Sequence, residues 1–248
     1  MERIILACGG DKKIVQAYTR RSLPRFNPLP PLPFWLDLLS PSEPVARRIS
    51  ASFGFHPRTL QACLAHYRIP GCEDLGNHLF VKALLLEPSK KNLFVQTGMT
   101  AFLNRQYLIT VHKRTKPLHR LLPGCRASAF TQTGKLFLSL LDRCAGLLIE
   151  SFACENNRDI APGGRDAGPV TDPLWWRLRN FRAALLKHAR LLNELAFVGA
   201  KYFDAEELTI LASIRAKIHF VLDMVTGSLY QMNAVERRML NGIKKERP

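Results

Sequence analysis

The sequence predicts an α+β protein arranged in α/β/α layers: a mixed β-sheet flanked by helices, then antiparallel helices and one long C-terminal helix. Three observations predict it. A strand-rich block lies between residues 78 and 112. From Thr133 onward apolar residues recur at helical spacing, as in Leu136, Leu140, Leu141, Cys144, Leu147 and Leu148. The last stretch, Asp204 to about Lys245, contains no proline and keeps an apolar seam along its length.

The elements follow in order. Residues 3–7 and 14–18 flank Gly9-Gly10-Asp11 and predict a short hairpin. Pro24 to Pro33 is proline-rich, so it continues neither a ladder nor a helix. Phe34-Trp35-Leu36-Asp37-Leu38 is a compact apolar strand. Ser40-Pro41-Ser42-Glu43 predicts a helix start, with Ser40 as the cap, Pro41 in the first turn and Glu43 closing the box; this helix runs to about Phe53. A shorter helix begins at His56-Pro57 and reaches about Tyr67. The strand block divides into residues 78–86, 92–96, 100–103 and 107–112, with Asn104-Arg105-Gln106 as the turn before the last. Residues 156–172 hold glycines and prolines and predict a loop between helices. A further helix spans Pro173 to about Val198, with Trp176, Phe181, Leu185, Ala189 and Leu192 on its apolar side. Residues 1–132 thus form the sheet-bearing part and 133–248 a helical part continuous with it.

The final helix opens with Asp204 and Glu207, a capping box. Its seam is Leu211, Ile214, Ile218, Val221, Val225, Met232, Val235 and Met239, with Ser228 as the one polar gap. At about 1.5 Å per residue it would be roughly 60 Å long, about twice the width of a small domain. Its seam then requires a partner, either other helices of this chain or copies of itself.

Composition narrows the function classes. The chain has 248 residues, 47% of them hydrophobic, enough for a full core. Its formal charge of +16 points to an anionic partner, nucleic acid or a membrane surface. Cys8, Cys63, Cys72, Cys125, Cys144 and Cys154 form no CxxC pair, so reduced thiols are expected. No run approaches eighteen apolar residues, so nothing is expected to span a bilayer, and the chain is expected to be soluble. No nucleophile with a base and no paired carboxylates stand out, so the reading is not enzymatic.

Several smaller signals carry a plain reading beside a sharp one. Cys63, His66, Cys72 and His78 match no zinc spacing, and buried thiols are favoured over a metal set. The run from His112 to Lys116, with His119 and Arg120, reads as a solvated basic loop that an anionic membrane could attract. It lacks the interleaved aromatics of a nucleic-acid reader, so nucleic acid is not the expected partner. Gly9-Gly10 and Gly163-Gly164 read as turns rather than phosphate loops. Trp175-Trp176 is either an interface anchor or core.

The order of motifs resembles the cytoplasmic domain of CorA-type metal-ion transporters. The resemblance rests on Trp35-Leu36-Asp37-Leu38, then Phe55-His56-Pro57 with Leu60, then Pro70, Glu73, Asn77 and Phe80. It continues through Phe102 to His112, which is similar to the family's F-L-x-x-x-x-L-I-T-V-H strand, and Leu140-Leu141-Asp142, similar to its L-x-D helix. It implies a three-layer domain with a stalk helix over 204–245 that assembles into a homo-oligomer, a pentamer in the family. It implies a regulatory and assembly role, at the inner face of the cell membrane, in transport of magnesium or of cobalt, nickel or zinc. In the family the stalk runs on into a pore helix ending in Gly-Met-Asn. Asn241 falls where the family often has an asparagine at the pore entrance, but Lys244-Lys245-Glu246-Arg247-Pro248 follow it, so this polypeptide is not expected to conduct by itself.

The family's regulatory magnesium site uses acidic residues after the long strand and on the stalk. The stalk position here is Ala216, beside Arg215 and Lys217, leaving Glu87 and Asp223 as the metal candidates. No cofactor is firmly implied beyond a divalent cation. The alternative reading is a soluble basic interaction module built on the same fold, binding nucleic acid or an acidic partner.

Overall fold

A computed structural model describes residues 3–8, 14–18, 33–64, 69–88, 94–113, 118, 132–158 and 173–245. Seven strands form one sheet: β1 (Arg3–Cys8), β2 (Ile14–Tyr18), β3 (Phe34–Leu39), β4 (Gly71–Asp74), β5 (Leu79–Pro88), β6 (Phe94–Leu103) and β7 (Tyr107–His112). Their spatial order is β2-β1-β3-β7-β6-β5-β4. Only β3 and β7 run parallel, in the register Phe34↔Tyr107 to Leu39↔His112, so the sheet is mixed. The expected hairpin forms, and β1 then joins the sheet by antiparallel pairing with β3.

Alternation of side chains across the strands gives the sheet two apolar faces. One buries Phe34, Leu36, Leu38, Phe80, Phe102, Ile109 and Val111 under helices α1 (Glu43–Phe53) and α2 (Pro57–Leu64). The other buries Trp35, Leu79, Val81, Leu85, Met99, Leu103 and Leu108 under α3 (Thr133–Arg158), α4 (Pro173–Val198) and α5 (Ala205–Lys245). The α/β/α layering is as the sequence predicts.

Three local expectations change. Residues 92–96 and 100–103 do not make two strands: Phe94–Leu103 is one, paired with β5 from Pro88↔Phe94 to Leu79↔Leu103. The ten-residue partner strand carries the ladder straight through Gly98, which lies opposite Leu84. Ser40 does not cap α1. It sits at φ 48, its amide donating to the His112 carbonyl at 2.8 Å, and the cap position falls to Ser42 with Pro44 in the first turn. The short strand β4 was not expected from the sequence; it pairs antiparallel with β5 through Gly71↔Lys82 to Asp74↔Leu79. Helix α1 stops where Gly54 takes φ 64, a left-handed turn in which its N–H donates to Ser50 O. Helix α2 is described only to Leu64, so its expected end at Tyr67 lies outside the described residues, as do Gly9-Gly10, Gly163-Gly164 and the loop over 159–172.

Candidate functional site

The long helix starts as its capping box dictates. Glu207 N–H donates to Asp204 Oδ1 at 2.8 Å, and Asp204 N–H donates back to Glu207 Oε2 at 2.9 Å. The same Glu207 carboxylate also accepts the backbone N–H of Lys135, in the first turn of α3. One acid therefore closes the free amides of two helices. Burial pushes its carboxyl up, while the amides of Asp204 and Lys135 hold it down. Gly134 makes room: a Cβ there would overlap the Glu207 carboxylate.

Helices α3 and α5 thus begin side by side and run the same way, and α4 runs antiparallel to α5, which lies against both α3 and α4. Along α5 the seam residues Leu211, Ile214, Ile218, Val221 and Val225 are buried in the same core as α3, α4 and the sheet. The partner of that stripe is this chain's own helical layer, because α3 and α4 lie against it. Met232 is half-buried against the same core. The side chains of Val235, Met239 and Asn241 lie outside the described residues.

The exposed face of α5 carries a different set. Ala216, Phe220, Asp223, Met224 and Gly227 recur at steps of three and four, and all are exposed. Phe220 is 58% accessible and Tyr230 75%, large values for aromatic rings. A sequence pattern with two apolar stripes on one helix hides which of them faces inward. Lys217, at the border, reaches Asp142 of α3 at 2.6 Å, so the acid of the L-x-D motif meets a fixed ammonium.

The metal candidates are separated by element. Asp223 is exposed on α5, whereas Glu87 sits in β5 with its backbone opposite Val95 and its side chain outside the described residues. Among the described residues no three of His, Cys, Asp and Glu gather into a cation site. The soft set does not gather either. Cys63 lies on α2 and packs against the sheet face that α1 and α2 cover, where the Thr100 hydroxyl donates to its Sγ at 3.3 Å and burial pushes its thiol up to about 11. Cys72 packs on the opposite face, its thiol pushed up to about 12 by burial and by the nearby carboxylates of Glu194 and Glu73. His78 is buried between Phe55 and Phe102, with ring centroids 5.0 and 5.5 Å away. His66 lies outside the described residues.

The basic run after β7 also changes at its first member. His112 is buried, not solvated: its Nε2 is 2.9 Å from Asp37 Oδ1. The same oxygen accepts the Thr110 hydroxyl at 2.7 Å, and Thr110 Oγ1 accepts Trp35 Nε1–H at 2.9 Å. Asp37 Oδ2 accepts the Leu118 amide at 2.9 Å. The W-x-D of β3 and the T-x-H of β7 are therefore one buried polar network, assembled across the parallel pair that sets Asp37 opposite Thr110. Each strand presents alternate residues to the same face, so this spacing is what the pairing requires.

That network lies inside residues 33–152, the segment that matches the protein family described as CorA-like Mg2+ transporter protein. This segment is similar to CorA-like proteins. It takes in β3 to β7, α1, α2 and most of α3. No curated protein matches the chain. Among solved structures, it is similar to the soluble domain of CorA from Methanocaldococcus jannaschii, at 15% identity over 93% of this chain and 94% of that one, with a TM-score of 0.67. It is also similar to full-length CmaX, at 15% identity over 98% and 78% of the two chains, with a TM-score of 0.68. A third likeness is to the ZntB cytoplasmic domain from Vibrio parahaemolyticus, at 12% identity over the whole of both chains, with a TM-score of 0.64. At these identities the likeness is one of fold. It extends the CorA-like architecture beyond the matched segment to α4 and α5. Among the described residues no helix is long and apolar enough to cross a membrane.

Proposed function

We propose that this chain acts as the regulatory and assembly domain of a CorA-like divalent-cation transport system, at the cytoplasmic face of the membrane. The observation that carries the reading is the Trp35–Thr110–Asp37–His112 network within a segment matched to that family. The network itself is structural, since every polar group in it is turned inward. The working surface is instead the exposed face of α5. In this reading it joins copies of the chain, a pentamer by analogy with the family, with Phe220 and Met224 covered by the neighbouring copy.

Divalent cations would then act between copies. Asp223 stands on that exposed face, and hard cations need several oxygen ligands, which a second chain would complete. Ala216 leaves the usual stalk position without a carboxylate, and Lys217 already neutralises Asp142. The reading therefore expects assembly to respond weakly to magnesium. Light scattering of the purified chain with and without magnesium, cobalt, nickel or zinc tests it. An oligomer whose mass is steady with magnesium supports the reading. A monomer at all concentrations, with or without cations, overturns it.

A further inference from the structure

The N-terminal half of α4 carries a surface that the assembly reading does not use. Helix α4 runs antiparallel to α5, so its first turns lie beside residues 226–233. Trp175 Nε1–H donates to Asn233 Oδ1 at 3.1 Å, and Arg182 Nε–H donates to Thr226 Oγ1 at 3.0 Å. Tyr230 falls between these two ties on the same face of α5. Trp176 meets Trp175 edge to face, with centroids 4.9 Å apart at 88°. The Arg179 guanidinium lies over both indoles, 5.1 and 5.5 Å from their centroids.

The two tryptophans are thus neither core nor isolated. Trp176 remains 49% exposed and Tyr230 75%. Stacking holds the guanidinium in place while leaving its N–H groups free to bind a phosphate in its own plane. From Pro173 to Asn193 helix α4 has five basic residues and no carboxylate. Among the described side chains the nearest acid along this face of α5 is Asp223, one turn before Thr226, and in the sequence Glu236 follows Asn233 by three residues.

We infer that Trp175, Trp176, Arg179, Arg182 and Tyr230 form a docking surface for an anionic lipid bilayer. Indole and phenol rings have an apolar body and a polar edge, so they settle at headgroup depth. Clustered arginines beside them select a negatively charged leaflet. A nucleic acid would use the same cations but would want bases stacked on an open ring face, and here Arg179 already covers the indoles.

The chain's fluorescence isolates this surface, because its third tryptophan, Trp35, is only 2% exposed. The full chain is titrated with phosphatidylcholine vesicles, alone or with phosphatidylglycerol, and then with brominated lipid. Docking predicts binding to the anionic vesicles only, a blue shift, and quenching by the brominated chains. Trp176→Ser and Arg179→Ser should each weaken binding about 5-fold or more, while the distant Arg47→Ser leaves it unchanged. Binding without quenching, equal in all variants, overturns the inference and leaves only the general +16 attraction. Absence of vesicle binding, or binding of a single-stranded oligonucleotide alone, also overturns it. None of these outcomes depends on the oligomer, whose mass is read separately by light scattering.

Discussion

Glu207 occupies the space that a side chain at Gly134 would need, and from there it caps two helices at once. The start of α5 is thereby tied to the start of α3, which in turn is anchored to the sheet through the Thr133 hydroxyl and the Asn104 carbonyl. The direction in which the long helix leaves the domain is set at this junction.

Gly134→Ala should destabilise the chain by about 2 kcal/mol, because the new methyl meets a carboxylate held at both ends. Glu207→Ala alone should cost about 1–2 kcal/mol through the lost caps. The double variant should cost less than the sum, since removing the carboxylate removes the overlap. Urea unfolding of the four proteins gives the coupling; strict additivity would count against the overlap.

Asp37 serves Thr110, His112 and the Leu118 amide in a site with almost no water. Asp37→Ala strands all three and should cost about 3–5 kcal/mol. Asp142→Ala breaks a pair whose side chains are 38–40% exposed, and should cost about 1 kcal/mol or less, shrinking further in salt. Near-equal losses for the two would contradict the contrast in burial.

The acid limb of stability should come in part from two histidines. Burial lowers the basicity of His78, and burial lowers that of His188 to about 4 against a partial gain from its bond to the Leu84 carbonyl. Both resist protonation when folded, so the unfolded chain binds more protons below its ordinary value of 6.5. Their contribution is intact above that pH and is lost as the pH falls. For His188 the loss levels off near 4. Replacing His78 by Phe, in a site already lined by Phe55 and Phe102, should flatten the decline between pH 6.5 and 4 in thermal scans.

The two faces of α5 should separate in mutagenesis. Ile218→Ala opens a cavity in the core and should cost about 2–5 kcal/mol. Phe220→Ser and Met224→Ser should leave unfolding of the single chain nearly unchanged and reduce the oligomer mass seen by light scattering. An unchanged mass in both variants would remove this face from the proposed assembly.

Much of the fold was legible because its signals are local. The capping box at Asp204 and Glu207, the absence of proline beyond it, and the alternation in Tyr107–His112 each depend on neighbours a few residues apart. The site was less legible. Leu211 to Val225 and Ala216 to Gly227 are both helical stripes, and periodicity cannot rank them. Only packing against α3 and α4 decided that the first is core and the second exposed.

The sequence by itself determined the layers, the long helix and the motif order that resembles CorA-type proteins, since patterning and spacing suffice for these. The tertiary structure alone decided what the motif residues do. Trp35 and Asp37 meet Thr110 and His112 across some seventy positions, through a parallel register that no local signal encodes. It also decided which half of the seam was spent inside the chain and which tryptophans reached the surface, because burial depends on what folds back against a helix.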